Sequence, residues 1–108
     1  MDIEVLRRDA LCIVRVNEDT FGETDLAGLG RTVRGLVDEG ATGIVLVFRP
    51  TCYPYSSVIA SLVEYRQMVE KKGGVLTVVQ PNEDFQYVLE SMSLGDGVKI
   101  VSSEEHAG

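Results

Sequence analysis

The 108-residue chain carries 17 acidic and 10 basic side chains, a formal charge of −7, and is 44% hydrophobic. That length supports one domain with a single two-layer core, and the hydrophobic content argues against disorder. The acidity argues against a nucleic-acid grip, which demands clustered Lys and Arg; the basic pairs Arg7-Arg8 and Lys71-Lys72 sit beside acidic residues. The wholly apolar stretches, such as Ile44–Phe48, fall far short of the roughly 20 residues needed to span a bilayer. The opening MDIEVLRRDA has no basic segment followed by an apolar one, so a cytoplasmic protein is expected.

In chain order, Ile3–Leu6 and Leu11–Val16 are β-rich runs joined by the polar RRDA, which predicts a hairpin. A polar stretch follows. From Leu26 the apolar residues Leu29, Val33, Leu36 and Val37 recur at helical spacing; Thr24 or Asp25 is placed to cap that helix and Gly40 to end it. Gly28, Gly30 and Gly35 lie inside it, each weakening it by up to about 1 kcal/mol, and are read as positions of close helix-to-sheet packing. Residues 43–48, GIVLVF, do not alternate, as expected of a central strand covered on both faces.

Ile59, Leu62, Val63, Arg66 and Val69 trace a second helix, stopped by KKGG, and VLTVV at 75–79 is another inner strand. Asn82 is placed to cap a third helix, with Glu83 and Asp84 in its first turn, Phe85, Val88, Leu89 and Met92 as its stripe and Gly95 as its stop. VKIV at 98–101 closes the pattern. The order β-β-α-β-α-β-α-β over residues 1–108 predicts a single α/β domain with a mixed, partly parallel sheet.

Groups for catalysis are scarce. His106, the only histidine, lies in a polar tail, no metal-spaced cluster exists, and no phosphate-binding glycine loop follows a strand. Glu18, Asp19, Glu104 and Glu105 are read as solvated surface, and no catalytic residue, cofactor or metal is expected. Cys12 reads as a buried strand residue. Cys52 lies in TCYPYSS, where strand, Cys-x-Pro-x and helix resemble a thioredoxin or peroxiredoxin arrangement, in which a helix N-terminus lowers a thiol pKa. The position three after Cys52 is Tyr55, so no disulfide can form within the loop, and Arg49 is the only cation nearby. A second reading takes Ser56 as the cap of the following helix, accepting from the N–H of Val58 or Ile59. A phosphate on such a serine meets free N–H groups and brings roughly −1.5 to −2 charges to one spot of the surface.

The segments together resemble the STAS domain of bacterial anti-sigma factor antagonists. The likeness is carried by the opening hairpin, by GETDLAGL at the entry to the first helix, by LVDEGATGIVLVF, by YPYSSVIASLVEYRQMVEKKGG and by the closing strand, helix and strand. It implies a compact domain with helices mainly on one face of the sheet and the other face partly open, and a regulatory module that is not an enzyme. It implies that Ser56, or alternatively Ser57, is phosphorylated by an anti-sigma factor kinase, and that Tyr53, Tyr55, Ser56, Ser57, Val58, Ser61, Leu62 and Tyr65 meet the partner. Tyr55 stands where the family has an acidic residue and Val58 where it has glycine, which places bulk where a kinase would approach. The resemblance also fits an unphosphorylated STAS subunit of a stress-signalling or membrane lipid-transport complex, and the thiol-dependent redox reading of Cys52 stays open beside it. The expected partner is a protein, an anti-sigma factor or switch kinase, with no nucleic acid and no insertion into a membrane; the expected state is a monomer or weak homodimer.

Overall fold

The structure, a computed structural model, describes residues 1–21, 24–79, 81–91 and 97–102. Two strands, β1 (Ile3–Arg8) and β2 (Leu11–Val16), form the antiparallel hairpin. β1 runs two residues beyond the apolar run, so Asp9 and Ala10 alone make the turn. Asp9 takes φ of 57°, a left-handed conformation that Asp tolerates better than most residues.

Helix α1 (Ala27–Asp38) has Leu26 in the capping position, so neither Thr24 nor Asp25 is its cap as expected; the Asp25 carboxylate accepts from the Ala27 N–H at 2.9 Å from one position further out. It stops at Gly40, whose φ of 105° suits glycine, while the Gly40 and Ala41 N–H groups bond back to Val37 and Leu36. β3 (Gly43–Val47), α2 (Ser56–Lys71), β4 (Val75–Val79), α3 (Glu83–Ser91) and β5 (Val98–Val101) complete the order expected from the sequence. Met92, Gly95, Glu104, Glu105 and His106 lie outside the described residues.

The sheet order is the chain order, β1-β2-β3-β4-β5, with β2 to β5 all parallel. Right-handed crossovers that always step to the next strand place every helix on the same face. The main core lies there: Val14, Val16, Ile44, Leu46, Leu76 and Val78 from the sheet meet Leu29, Val33, Leu62, Tyr65, Phe85 and Leu89 from the helices. On the opposite face Ile13, Val45 and Val79 form a smaller apolar cluster flanked by Leu6, Leu11, Val47 and Val101, which no helical residue among the described residues joins. Ile44, Val45 and Leu46 are all wholly buried, which explains why that strand does not alternate.

One expectation fails. A side chain at Gly28 or Gly30 would come no closer than 3.8 or 3.7 Å to its neighbours, and one at Gly35 would meet nothing within 4 Å. Close packing therefore does not require glycine at any of the three. The approach of backbone to backbone is tight elsewhere, at Gly74, where a side chain would collide with the Thr42 carbonyl.

Candidate functional site

The loop from Phe48 to Tyr55 leaves the C-terminal end of central strand β3 and delivers the chain to α2. It is tied down from two sides. Asn82, just before α3, donates through Nδ2 to the Pro50 carbonyl at 2.9 Å and the Cys52 carbonyl at 2.8 Å, while its Oδ1 accepts from the Phe85 N–H at 2.9 Å. One side chain thus caps α3, as its sequence position predicted, and clamps the loop. From the β2–α1 connection, the Asp19 carboxylate accepts from Thr51 and lies 3.8 Å from the Arg49 guanidinium. Asp19 is a loop anchor as well as a surface charge. Beneath them Phe48 packs on Phe85, ring centroids 5.5 Å apart.

Cys52 is turned into the protein. It is 1% exposed, and its Sγ lies 3.0 Å from the Thr20 hydroxyl. Burial pushes its pKa up, only partly offset by hydrogen bonds from Thr20, and the Asp19 carboxylate adds to the rise. A redox loop needs the opposite shift and an accessible sulfur. The likeness to a thioredoxin-type loop is therefore confined to sequence. Cys12 is buried in β2, as expected.

The two serines have different surroundings. Helix α2 begins at Ser56, with Tyr55 in the capping position and no side chain bonded to the helix start. This corrects the expected cap: Ser56 is the first helical residue, one step too far along to accept from its own first turn, and the first helical bond runs from the Ile59 N–H to the Tyr55 carbonyl at 3.0 Å. Ser56 is exposed, and no acidic side chain occupies the first turn. The Ser57 hydroxyl oxygen is shielded from solvent and has no hydrogen-bond partner among the described residues, while the Ser57 carbonyl accepts from Ser61.

Of the eight residues expected to meet a partner, Val58, Leu62 and Tyr65 turn into the core at 1%, 0% and 2% exposure. The reason is helical geometry. Counting from Ser56, positions 60 and 63 share its face, whereas 58, 62 and 65 fall towards the sheet. Val58 therefore adds no bulk to the surface, contrary to expectation. Ser61 is half-buried against α1, Tyr55 is half-buried, and Tyr53 is 51% exposed with its ring edge-on to Tyr55 at 4.9 Å.

The sequence reading missed what surrounds Ser56. Pro54, Ile59, Ala60 and Val63 join Val88 of α3 around an apolar groove of about 340 Å³ with Ser56 on its wall. Tyr87, 72% exposed, stands on the same helix as Val88. The helical spacing 56, 60 and 63 carried the α2 half of that face; the α3 half depends on tertiary packing. Among the described residues no cluster could hold a metal ion and no helix is long and apolar enough to cross a membrane.

Comparison with protein-family models gives no match, and comparison with curated proteins gives none. Solved structures do match. The chain is similar to the NMR structure of the protein TM1081, with a TM-score of 0.76 and 23% identity over 95% of this chain and 82% of that one. It is also similar to the Bacillus cell fate determinant SpoIIAA in its phosphorylated form, with a TM-score of 0.67 and 14% identity over 97% of this chain and 96% of that one. The anti-sigma factor antagonist SpoIIAA in its unphosphorylated form gives the same score and identity, covering 92% of that chain. With five strands in chain order and three helices on one face among the described residues, the chain has the STAS fold, the fold of SpoIIAA.

Proposed function

We propose that this chain is a regulatory protein-binding module of the anti-sigma factor antagonist type, docking an anti-sigma factor or switch kinase through the face around Ser56 and released by phosphorylation of that serine. The observation that carries the reading is the exposure of Ser56 at a helix start that no side chain caps, beside an apolar groove. A phosphate there sits at the positive end of the α2 dipole, where backbone N–H groups stabilise it without disturbing the core. The same charge is placed on the wall of the groove, and desolvating it against a docked apolar side chain is costly. The fold neighbour SpoIIAA occurs in both phosphorylated and unphosphorylated forms, which supports a switch on this fold. The shielded hydroxyl of Ser57 favours Ser56 as the acceptor. The exposed parts of the docking face are Tyr53, Ser56, Ala60 and Tyr87, with Val63 and Val88 deeper in the groove.

The test uses the wild type, Ser56→Asp and Ser56→Asn as baits in lysate of the source cells, with mass spectrometry of captured partners and of the bait. Wild type and Ser56→Asn should capture a common anti-sigma factor or kinase, and Ser56→Asp should lose it about a hundredfold, as expected for roughly 3 kcal/mol. Equal capture by all three variants removes the switch and leaves the unphosphorylated STAS subunit as the better reading. Phosphate found on Ser57 alone overturns the assignment to Ser56.

A further inference from the structure

A second groove, of about 360 Å³, runs between α1 and α2 on the other side of α2 from the apolar one. Its walls carry Arg31 and Arg34, one helical turn apart on α1, and Ser61, Glu64 and Tyr65 on α2. Arg34 also lines a smaller adjoining groove with Lys71 and Lys72, so four of the ten basic residues of a chain of charge −7 follow this seam. Asp38 and Glu64 are its acidic members. Arg31, Lys71 and Lys72 have no carboxylate partner among the described residues, and Arg34 makes only a long contact of 3.5 Å with Glu64, both side chains about 60% exposed (62% and 58%).

Gly30 forms part of the floor. Glycine inside a helix costs about 0.5–1 kcal/mol against alanine. Nothing in the packing demands it here, since a Cβ would lie at an ordinary 3.7 Å from the Tyr65 hydroxyl. A side chain at that position would instead occupy the groove. We propose that the α1–α2 groove binds a small phosphorylated molecule, its phosphate held between Arg31 and Arg34 and its remaining part lying over Gly30 towards the Ser61 and Tyr65 hydroxyls. The volume lies in the range of small-molecule sites. Paired guanidiniums match a phosphate with charge-assisted, bidentate bonds. A carboxylate is the poorer ligand, because Glu64 already offers one to Arg34, and a doubly charged phosphate displaces it more readily.

The test is NMR titration of the full chain with ribose 5-phosphate, using ribose, acetate and an oligoglutamate peptide as comparisons. Ribose 5-phosphate should shift the amides of Gly30, Arg31, Arg34 and Ser61, ribose and acetate should not, and Arg31→Gln or Arg34→Gln should weaken binding about tenfold or more. Gly30→Leu fills the groove while improving helix propensity, so it should raise the melting temperature and abolish binding. Shifts spread over unrelated cations such as Arg7, Arg8 and Lys99, unchanged binding by Gly30→Leu, or tighter binding of oligoglutamate than of ribose 5-phosphate each overturn the proposal.

Discussion

Asn82 holds Cys52 by its backbone across thirty positions of sequence, Nδ2 to carbonyl oxygen at 2.8 Å. The contact joins the start of α3 to the loop that delivers Ser56, so the placement of one depends on the other. Asn82→Ala removes the α3 cap and both loop bonds, and should cost about 2.5–4 kcal/mol, from a cap of roughly 0.5–2 and two bonds of about 1 each. Asn82→Asp keeps the cap but sets a carboxylate against two carbonyls. Urea unfolding should therefore find Asn82→Asp destabilised although α3 is still capped, and a wild-type midpoint for it would mean the clamp contributes nothing.

Ser56 accepts no structural duty in the fold, so Ser56→Asp should not destabilise it. A carboxylate in the first turn of α2 meets the dipole and should gain about 0.3–1 kcal/mol at low ionic strength. That gain should fade on adding salt and as the pH drops below the carboxylate range. Thermal melts at two salt concentrations check it; a destabilised Ser56→Asp would mean that the hydroxyl is used within the fold.

Val58 occupies the position where the STAS resemblance has glycine, yet it is 1% exposed and packed in the main core. Val58→Gly removes a buried side chain worth about 1.5–3 kcal/mol and adds the helical penalty of glycine, about 0.5–1 kcal/mol. A loss near 3 kcal/mol is expected by chemical denaturation. A loss below about 1 kcal/mol would place that side chain outside the core.

Cys52 and Tyr65 both have raised pKa values, each chiefly through burial. A raised acid stays neutral in the folded protein at a pH where the unfolded chain ionises. Their contribution is therefore intact below about pH 9, and stability should fall as the pH climbs through and beyond that range. Cys52→Ala and Tyr65→Phe should each flatten the alkaline part of the profile. In the native protein Cys52 should resist alkylation at pH 8 and react once urea unfolds the chain; rapid native alkylation would contradict its burial.

Much of the fold was readable because each element declared itself locally. The stripe through Leu29, Val33 and Leu36, the unbroken apolar run of β3 and the capping position of Asn82 are consequences of periodicity and termini. The site was less legible. Whether Ser56 is a cap or the first helical residue turns on a one-position shift that composition does not encode. Val58, Leu62 and Tyr65 entered the expected surface by adjacency in sequence, although their angular positions on α2 send them inward. The contributions of Asp19, Asn82 and Val88 come from elements brought to Ser56 only by the tertiary structure.

Because the strands are arranged in the sequence of their synthesis, no strand must be threaded between two already in place. The hairpin can stand as a template, and each later helix–strand pair adds to a rim that is already there. Such a domain can be assembled progressively during translation, each strand up to the short β5 joining the margin left by the one before it.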